Sequence, residues 1–447
     1  MLKSNVFIHV NHQCRKAALF DSYSCKIYSI PYEVGCKANN GALSSREEHK
    51  INSIVTDSCS QKYKDTDKSL ESLRLLVTNR CNFKCKYCFA DGGSYGLPNT
   101  DMSDNTVVKA LSYFFGRYDL INQISFFGGE PLLALDVIET ACAWVDAQKL
   151  RQTPCYSLVT NASLLSDRAI RVLSKHNIAV IASIDGPKEV NDLQRISRSG
   201  DGTFVTVDKN IRRCVGKLNL SVEATYTRNH VKMNISHTML RQYLSDRYCT
   251  SRVQVVNTID YPDGSSHLGD FDKSPVQECR DFFDGGCSVF SDRICGLIKV
   301  FLTGRGQSSF CPAGVTRYAV DMKGDIYPCH LYVGNKNAKL ANIWSKDPLP
   351  PTTLPNKNKG VCRKCAYRLF CTVCVHSMGV GRSYCQQERM EVDYFLHHLI
   401  DLLLSDREAF DTLIRNFRLH LSAHGLRKSD VMRRRAANHG RLSMIGG

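Results

Sequence analysis

The sequence predicts an α/β protein built around a parallel sheet. From about residue 71 to about residue 285, short apolar runs alternate with segments whose apolar residues recur at helical spacing. This repetition is typical of parallel strands joined by crossover helices. The first run, Leu73–Thr78, leads directly into a cluster of cysteines, which places chemistry at the carboxyl end of a strand. Further strands are predicted at residues 124–127, 157–160, 180–184, 222–227 and 253–256, and helices at 105–118 and 167–176.

Residues 1–70 are predicted to form a separate small α+β domain. The alternating segments Val6–Val10, Ala18–Asp21 and Ile27–Ile30 indicate short strands, and Ser44–Glu48 has the pattern of a capping box that opens a helix. Such a domain either caps the following sheet or binds an extended peptide along a strand edge. The polar residues 57–69 indicate a linker.

Three cysteines, Cys81, Cys85 and Cys88, lie within eight residues in a C-x3-C-x2-C pattern. A 4Fe-4S cluster normally binds four protein thiolates, so a triplet leaves one iron open to a substrate or cofactor. An open iron favours chemistry over simple electron storage.

The triplet, with Tyr87 before its last cysteine, resembles the signature of radical S-adenosylmethionine (SAM) enzymes. The resemblance implies a partial (β/α)6 TIM-like barrel, open on one side to admit a large substrate. It also implies that the reduced cluster cleaves SAM to methionine and a 5′-deoxyadenosyl radical, which abstracts hydrogen from the substrate.

The segment Ile124–Pro131 resembles the second-strand motif of the same family, whose Gly-Gly-Glu turn binds the amine of SAM. Paired glycines let backbone approach a ligand, and Glu130 offers an anion to an ammonium group. Taken singly, each polar residue of these segments is as well explained by a turn or a helix cap. Ser183 and Arg195 lie in a segment that resembles one shared by enzymes acting on peptides and proteins. Asn161 lies in another family segment, although the residue that follows it is Ala162 where glycine is usual. By resemblance, the SAM contacts are Gly128, Gly129, Glu130, Asn161, Ser183 and Arg195.

A second set of cysteines lies further along the chain, in the spacing Cys362-x2-Cys365-x5-Cys371-x2-Cys374. Alone, such pairs favour a zinc ribbon, but the upstream triplet favours iron–sulfur ligation. The set resembles the SPASM auxiliary-cluster domain, although the family spacing before the last of these cysteines is x3. By resemblance, the outer cluster is held by Cys362, Cys365, Cys371 and Cys385, and the inner cluster by Cys311, Cys329 and Cys374. The fourth ligand of the inner cluster is Cys295 or Cys287, unless that position is open to substrate.

Composition agrees with an intracellular metalloprotein. Twenty-one cysteines occur in 447 residues, yet no apolar signal segment follows Met1. A disulfide scaffold is therefore not expected, and the predicted location is the reducing cytoplasm. No run of about 18 apolar residues suggests a membrane span.

The net charge is +16, and basic residues are concentrated near the end of the sequence. A basic tail attracts acidic partners, here a leader peptide or a flavodoxin- or ferredoxin-type electron donor, or is simply solvated. Nucleic acid is disfavoured because no aromatic-interleaved binding motif accompanies the charge.

The sequence thus predicts a maturase of a ribosomally made precursor peptide (a RiPP maturase) that contains three 4Fe-4S clusters and binds SAM. Its product would be an oxidative crosslink, either a carbon–carbon or ether cyclophane or a thioether. A sulfatase-type maturase that oxidises Cys or Ser to formylglycine remains an alternative, as does a non-catalytic iron–sulfur electron-transfer scaffold. No residue pattern identifies a catalytic base. The predicted domains are residues 1–70, a candidate leader-peptide recognition element, residues 71–285, the radical SAM barrel, residues 286–390, the SPASM domain, and residues 391–447, a C-terminal helix and basic tail.

Overall fold

The residues of the chain group into two compact units. The barrel unit comprises residues 65–272 and 312–354, and the second unit comprises residues 1–64, 273–311 and 355–447. The boundaries of the four domains predicted from the sequence stay predictions. Most of the linker predicted at 57–69 lies outside the described residues. The computed structural model describes residues 1–55, 68–258, 276–287, 290–304, 306, 311–350, 354, 360–372, 374, 383–423 and 442–444.

The N-terminal part of the second unit is an antiparallel sheet covered by two helices, as the sequence predicts. The capping box is confirmed: the Ser44 hydroxyl accepts from the Glu47 N–H, and the Glu47 carboxylate accepts from the Ser44 N–H. Ala17, Leu19 and Ile51 are buried between sheet and helices. The elements are β1 (Val6–Asn11), β2 (Lys16–Asp21), β3 (Lys26–Ile30), α1 (Tyr32–Asn39) and α2 (Ser45–Ile54).

The barrel unit begins with alternating strands and helices, and every strand predicted between residues 71 and 285 is confirmed within one or two residues at either end. The elements are β4 (Ser69–Leu70), β5 (Ser72–Thr78), α3 (Asp104–Phe115), β6 (Leu120–Ile121), β7 (Gln123–Gly128), α4 (Leu135–Asp146), β8 (Cys155–Thr160), α5 (Asp167–Lys175), β9 (Ala179–Ser183), α6 (Lys188–Gln194), α7 (Phe204–Cys214), β10 (Leu220–Tyr226), α8 (Arg228–Lys232), α9 (His237–Tyr248) and β11 (Val253–Asn257).

Six of these strands are parallel and adjacent in chain order, β5-β7-β8-β9-β10-β11, which is the order of a (β/α) barrel. Among the described residues, β11 pairs with β10 alone, so the sheet is open there. Residues 312–354, predicted to be part of the SPASM segment, extend the other side of this sheet. They contribute β12 (Arg317–Val320), parallel to β5, followed by antiparallel β13 (Asp325–Tyr327) and β14 (Ala341–Asn342).

The other described elements of the second unit are helices, apart from one short strand. The apolar stretch at residues 392–421 forms two helices, which meet at Asp406, whose carboxylate accepts from the Ala409 N–H at 2.9 Å. Phe395, Leu399 and Phe417 are fully buried, as expected of core residues. None of the described helices is long and apolar enough to cross a membrane. The elements are α10 (Gln277–Asp284), α11 (Asp292–Thr303), α12 (Ser383–Ser405), α13 (Arg407–Ala423) and β15 (Leu442–Met444), which pairs with β3.

Candidate functional site

The cysteine loop, residues 79–88, follows β5 at the carboxyl edge of the sheet, where the sequence predicted it. Two of its backbone N–H groups bind the segment around the end of α6: Lys84 donates to the Ile196 carbonyl at 2.8 Å, and Lys86 donates to the Gln194 carbonyl at 2.9 Å. The Phe83 N–H donates to Cys81 Sγ at 3.4 Å. Backbone bonds of this kind hold the cysteines in place and tune a cluster's potential.

Burial disfavours the thiolate form of two cysteines of this loop, Cys81 and Cys85. Burial raises the pKa of Cys81 to about 11 and that of Cys85 to about 12. Iron binds thiolates, so cluster assembly must displace these protons. Within the described residues, no group of three or more Cys, His, Asp or Glu side chains is arranged for a single metal ion. Iron–sulfur ligation by the triplet stays a prediction, in which each thiolate would bind a different iron atom of a cluster.

The Gly-Gly-Glu turn after β7 lies against the backbone that leads into the cysteine loop. A Cβ at Gly128, where φ is +147°, would lie 2.0 Å from the Thr78 carbonyl oxygen, and one at Gly129 would lie 2.3 Å from that of Arg80. The Glu130 N–H donates to the same Arg80 oxygen at 2.8 Å. The structure therefore explains why both positions are glycine: the protein's own backbone occupies the space that a side chain would need.

The Glu130 carboxylate is fully buried and is the centre of a hydrogen-bond cluster. It accepts from the Thr160 hydroxyl at 2.7 Å, from the Asn161 N–H at 2.7 Å and from the Leu132 N–H at 3.1 Å. Burial raises its pKa in spite of these bonds. A buried carboxylate of this kind is suited to bind an ammonium group, because the ion pair would offset its desolvation.

Asn161 contacts the cysteine loop directly. Its side-chain N–H donates to Asn82 Oδ1 at 2.8 Å, so the end of β8 holds the middle of the loop. The next residue, Ala162, has φ of +61°, in the left-handed region that favours glycine. This conformation explains why glycine is usual at the position in the family that the segment resembles.

Arg195 approaches the loop from the end of α6. Its Nη1 donates to the Tyr87 hydroxyl at 2.5 Å, and the same nitrogen lies 3.7 Å from Asp185 Oδ1. Its Nε is buried and has no hydrogen-bond partner among the described residues. Ser183, the last residue of β9, is half-buried. Thus the turn at Gly128–Glu130, Asn161 and Arg195 all contact residues of the Thr78–Cys88 segment.

Asp185 is a site residue that sequence reasoning left without a role. Its carboxylate accepts from the Tyr87 hydroxyl at 2.7 Å, from Gln194 Nε2 at 2.7 Å and from the Thr225 N–H at 2.9 Å. The available signal was its place in the Ser183–Pro187 segment, whose pattern resembles that of peptide-modifying enzymes. A single acidic residue in such a pattern does not reveal that it joins three separate segments.

The cysteines predicted to bind auxiliary clusters are divided between the units. Cys329 lies after β13 in the barrel unit, where the adjacent His330 Nδ1 contacts Nη1 of Arg74 on β5 at 2.5 Å. The auxiliary ligand sets stay predictions. The candidates in the second unit are Cys287, Cys295, Cys311, Cys362, Cys365, Cys371, Cys374 and Cys385.

In the second unit, the Arg293 side chain binds the residues on either side of the predicted ligand Cys371. Arg293 donates to the Phe370 carbonyl at 3.1 Å and to the Thr372 hydroxyl at 2.7 Å. The guanidinium is also paired with the carboxylates of Glu388, at 2.8 Å, and Glu391, at 2.6 Å. The residues on both sides of Cys371 are therefore held by one half-buried arginine.

Comparison with known proteins places this geometry in a family. Residues 75–230 match the radical SAM superfamily. Over 298 residues, which are 61% of this chain and 77% of the relative, the sequence is 26% identical to a cysteine-type anaerobic sulfatase-maturating enzyme of Clostridium perfringens. An uncharacterized protein of Methanocaldococcus jannaschii is 34% identical over 131 residues, and that match spans 44% of its length.

The fold agrees with these sequence matches. The solved structure of native anSMEcpe with bound AdoMet is similar with a TM-score of 0.60 at 22% identity, covering 75% of this chain and 99% of that one. At this identity the likeness shows the fold alone. Residues 75–230 are therefore a radical SAM domain, and the chain is related in sequence to the anaerobic sulfatase-maturating enzymes.

Proposed function

We propose that this protein is a maturase of a ribosomally made precursor peptide, in which it installs an oxidative crosslink between side chains: a carbon–carbon or ether cyclophane, or a thioether. The observation that supports it most is the set of contacts from Glu130, Asn161 and Arg195 to the backbone and side chains of the cysteine loop. A buried carboxylate beside the cysteines is suited to bind the ammonium group of a cosubstrate, which simple electron storage does not require.

Each of these residues has a task toward the cofactor. Cys81, Cys85 and Cys88 would hold a 4Fe-4S cluster, and bound SAM would supply the 5′-deoxyadenosyl radical that takes a hydrogen atom from the substrate. Glu130 would bind the ammonium group of SAM. The unpartnered Nε of Arg195 would donate to a SAM oxygen, and Ser183 would provide a further hydroxyl. The protein's contribution is to position the reactants and exclude water.

Net oxidation of the substrate requires an acceptor for an electron. Two auxiliary 4Fe-4S clusters at the predicted SPASM cysteines would serve as that acceptor, and a flavodoxin- or ferredoxin-type protein would reduce the first cluster. The N-terminal sheet β1-β2-β3 would bind a leader segment of the precursor along a strand edge, where backbone N–H and C=O groups provide the affinity.

A second candidate function is oxidation of a Cys or Ser in a sulfatase to formylglycine. The observation that favours it is the match to the Clostridium perfringens enzyme over 77% of that protein. The non-catalytic scaffold, also open from the sequence, loses its support because residues 75–230 match an enzyme superfamily. The two enzymatic candidates use the same radical site and differ in what happens to the substrate afterwards.

One experiment separates the two enzymes. The protein is reconstituted anaerobically with iron and sulfide and incubated with SAM, dithionite and a candidate precursor peptide, or with a sulfatase peptide that contains Cys or Ser. Loss of two hydrogens from the precursor, with one 5′-deoxyadenosine formed per event, supports the crosslinking maturase. Aldehyde formation in the sulfatase peptide supports the second candidate. Deoxyadenosine without any change in the precursor overturns the assignment of that substrate.

A further inference from the structure

The buried carboxylate of Asp185 joins the cysteine loop to the interior of the sheet. It binds the Thr225 N–H on β10, which is part of the parallel sheet, and the Tyr87 hydroxyl, which belongs to the cysteine loop. Tyr87 lies between Cys85 and Cys88 in sequence. Through Tyr87, Asp185 therefore connects strand β10 with the part of the loop that contains Cys85 and Cys88.

Further contacts fix the carboxylate itself. Gln194 Nε2 donates to Asp185 Oδ2 at 2.7 Å, and the Gln194 carbonyl oxygen Oε1 accepts from the Thr227 hydroxyl at 2.6 Å. His230 Nε2 lies 2.8 Å from the Asp185 backbone carbonyl. Asp185, Gln194 and His230 are fully buried. Because all of these groups are buried, Asp185 cannot shift without leaving a polar atom unsatisfied.

Arg195 completes the arrangement. It donates to the same Tyr87 hydroxyl that donates to Asp185, so the guanidinium and the carboxylate hold the tyrosine from two sides. The buried Nε of Arg195 has no partner among the described residues. A buried donor without a partner beside the cysteine loop is a place where a ligand acceptor would bind.

We propose that Asp185 is a positioning residue of the SAM site, which through Tyr87 sets the place of Cys85 and Cys88 and, together with Tyr87, directs the Arg195 guanidinium toward SAM. The inference rests on the radical SAM domain and not on the identity of the peptide substrate. It assigns to Tyr87 a role in structure as well as its place in the cysteine pattern.

The same unit contains a matched control. Asp208 on α7 accepts from the Tyr248 hydroxyl at 2.9 Å and from Arg247 Nε at 2.6 Å, both on α9. It thus has the same combination of carboxylate, tyrosine and arginine as Asp185. None of its contacts involves the cysteine loop. Some loss of stability is therefore expected at both sites, whereas an effect on SAM is expected only at Asp185.

The test compares Asp185→Asn and Tyr87→Phe with Asp208→Asn and Tyr248→Phe. Each full-length protein is reconstituted anaerobically, and three properties are measured without peptide: iron per chain, the Kd for SAM, and the electron paramagnetic resonance spectrum of the reduced cluster with and without SAM. We expect the Asp185 and Tyr87 variants to bind SAM at least tenfold more weakly, with a smaller SAM-induced spectral change. The Asp208 and Tyr248 variants should stay within twofold of the parent protein.

The other outcomes also decide the matter. Specific loss of iron from the Asp185 and Tyr87 variants, with iron retained by the controls, supports the positioning of the cysteines. Unchanged SAM affinity and spectra in the first pair, or an equal loss in both pairs, overturns the proposal. If Asp185→Asn does not fold, Tyr87→Phe decides alone, since it removes only one hydroxyl. Because no peptide is used, failure here is distinct from failure of the proposed maturase function.

Discussion

The Glu130 carboxylate accepts a hydrogen bond from the backbone N–H of Asn161 at 2.7 Å, so one side chain joins the carboxyl ends of β7 and β8. Asn161 in turn binds Asn82 in the cysteine loop. The proposed ligand of the SAM ammonium is therefore also part of the framework that surrounds it. A rigid framework of this kind reduces the cost of ordering the site when the ligand binds.

Replacement of Glu130 by Gln removes the charge that an ammonium group requires. Glutamine has a similar size and keeps one carbonyl oxygen for the Asn161 N–H, although its NH2 group would then face the Leu132 N–H. A hydrogen bond to a charged group contributes about 1.5–3 kcal/mol, so we expect the Kd for SAM to rise about tenfold to a hundredfold. Equilibrium binding of SAM to the reconstituted protein measures this Kd.

The control for this change is Asp136→Asn, which removes a carboxylate that is paired with Arg168 at the protein surface. It should leave SAM affinity unchanged. If Glu130→Gln also binds SAM like the parent protein, Glu130 has only a structural role and the ammonium group binds elsewhere.

The glycines of the turn provide a prediction about stability. Gly128→Ala would place a methyl group 2.0 Å from the Thr78 carbonyl oxygen in addition to the strain of a positive φ. The backbone must move, so we expect loss of the folded barrel or of its ability to bind iron. Gly200→Ala also has a positive φ, of +94°, but nothing lies within 4 Å of the new methyl group. It should cost only the backbone strain, about 1–2 kcal/mol.

Chemical denaturation and iron content distinguish the two variants. An equal and small effect of both would show that the turn after β7 can move away from the cysteine loop, contrary to the close approach in the structure.

Much of the barrel is predictable because its signals are local. Buried parallel strands such as β5 appear as continuous apolar runs, and the alternation along β10 marks a strand with one core face. The capping box at Ser44 depends on two residues three positions apart. Each of these features is written in a short stretch of sequence, so each was found.

The features that escaped prediction depend on distant residues. Nothing near Asp185 in the sequence indicates that Tyr87 and Thr225 lie beside it, 98 and 40 residues away. Likewise, residues 312–354 join the barrel sheet because Arg317 pairs with Ser72, and no local pattern records this pairing. The helix break at Asp406 was hidden because apolar spacing continues on both sides of it.

Asp208 gives a prediction about pH. Burial alone would raise the pKa of this carboxyl group, but hydrogen bonds from Arg247 and Tyr248 outweigh burial and lower it. A pKa that is lower in the folded protein than in the unfolded chain stabilises the fold above the unfolded-state pKa of about 4. This contribution is lost as the pH falls through the folded-state pKa.

We therefore expect Asp208→Asn to be less stable than the parent protein at pH 7, with a difference in unfolding free energy that shrinks steadily below about pH 4. Denaturant titrations of both proteins at several pH values measure this difference in unfolding free energy. A difference that is constant from pH 7 to pH 3 would show that the carboxylate is not selectively stabilised in its charged form.

Arg293 allows the predicted SPASM cysteines to be tested in the second unit. Its guanidinium binds the Phe370 carbonyl and the Thr372 hydroxyl, and the Thr372 N–H donates to Glu388 at 2.8 Å. Cys371 therefore lies between two residues that a single ion-pair network fixes. Removing the cation leaves the half-buried carboxylates of Glu388 and Glu391 without their shared partner.

Arg293→Met should destabilise the protein by about 1–3 kcal/mol, because the half-buried carboxylates of Glu388 and Glu391 lose the cation that they share. Because residues 370–372 lose their support, we also expect iron per chain to fall by the content of one auxiliary cluster while the Cys81, Cys85 and Cys88 site still binds SAM. Arg407→Met, which breaks an exposed pair with Asp411, is the control and should cost no more than about 1 kcal/mol. Full iron content in Arg293→Met, despite the loss of stability, would separate Cys371 from iron ligation and leave Arg293 a purely structural residue.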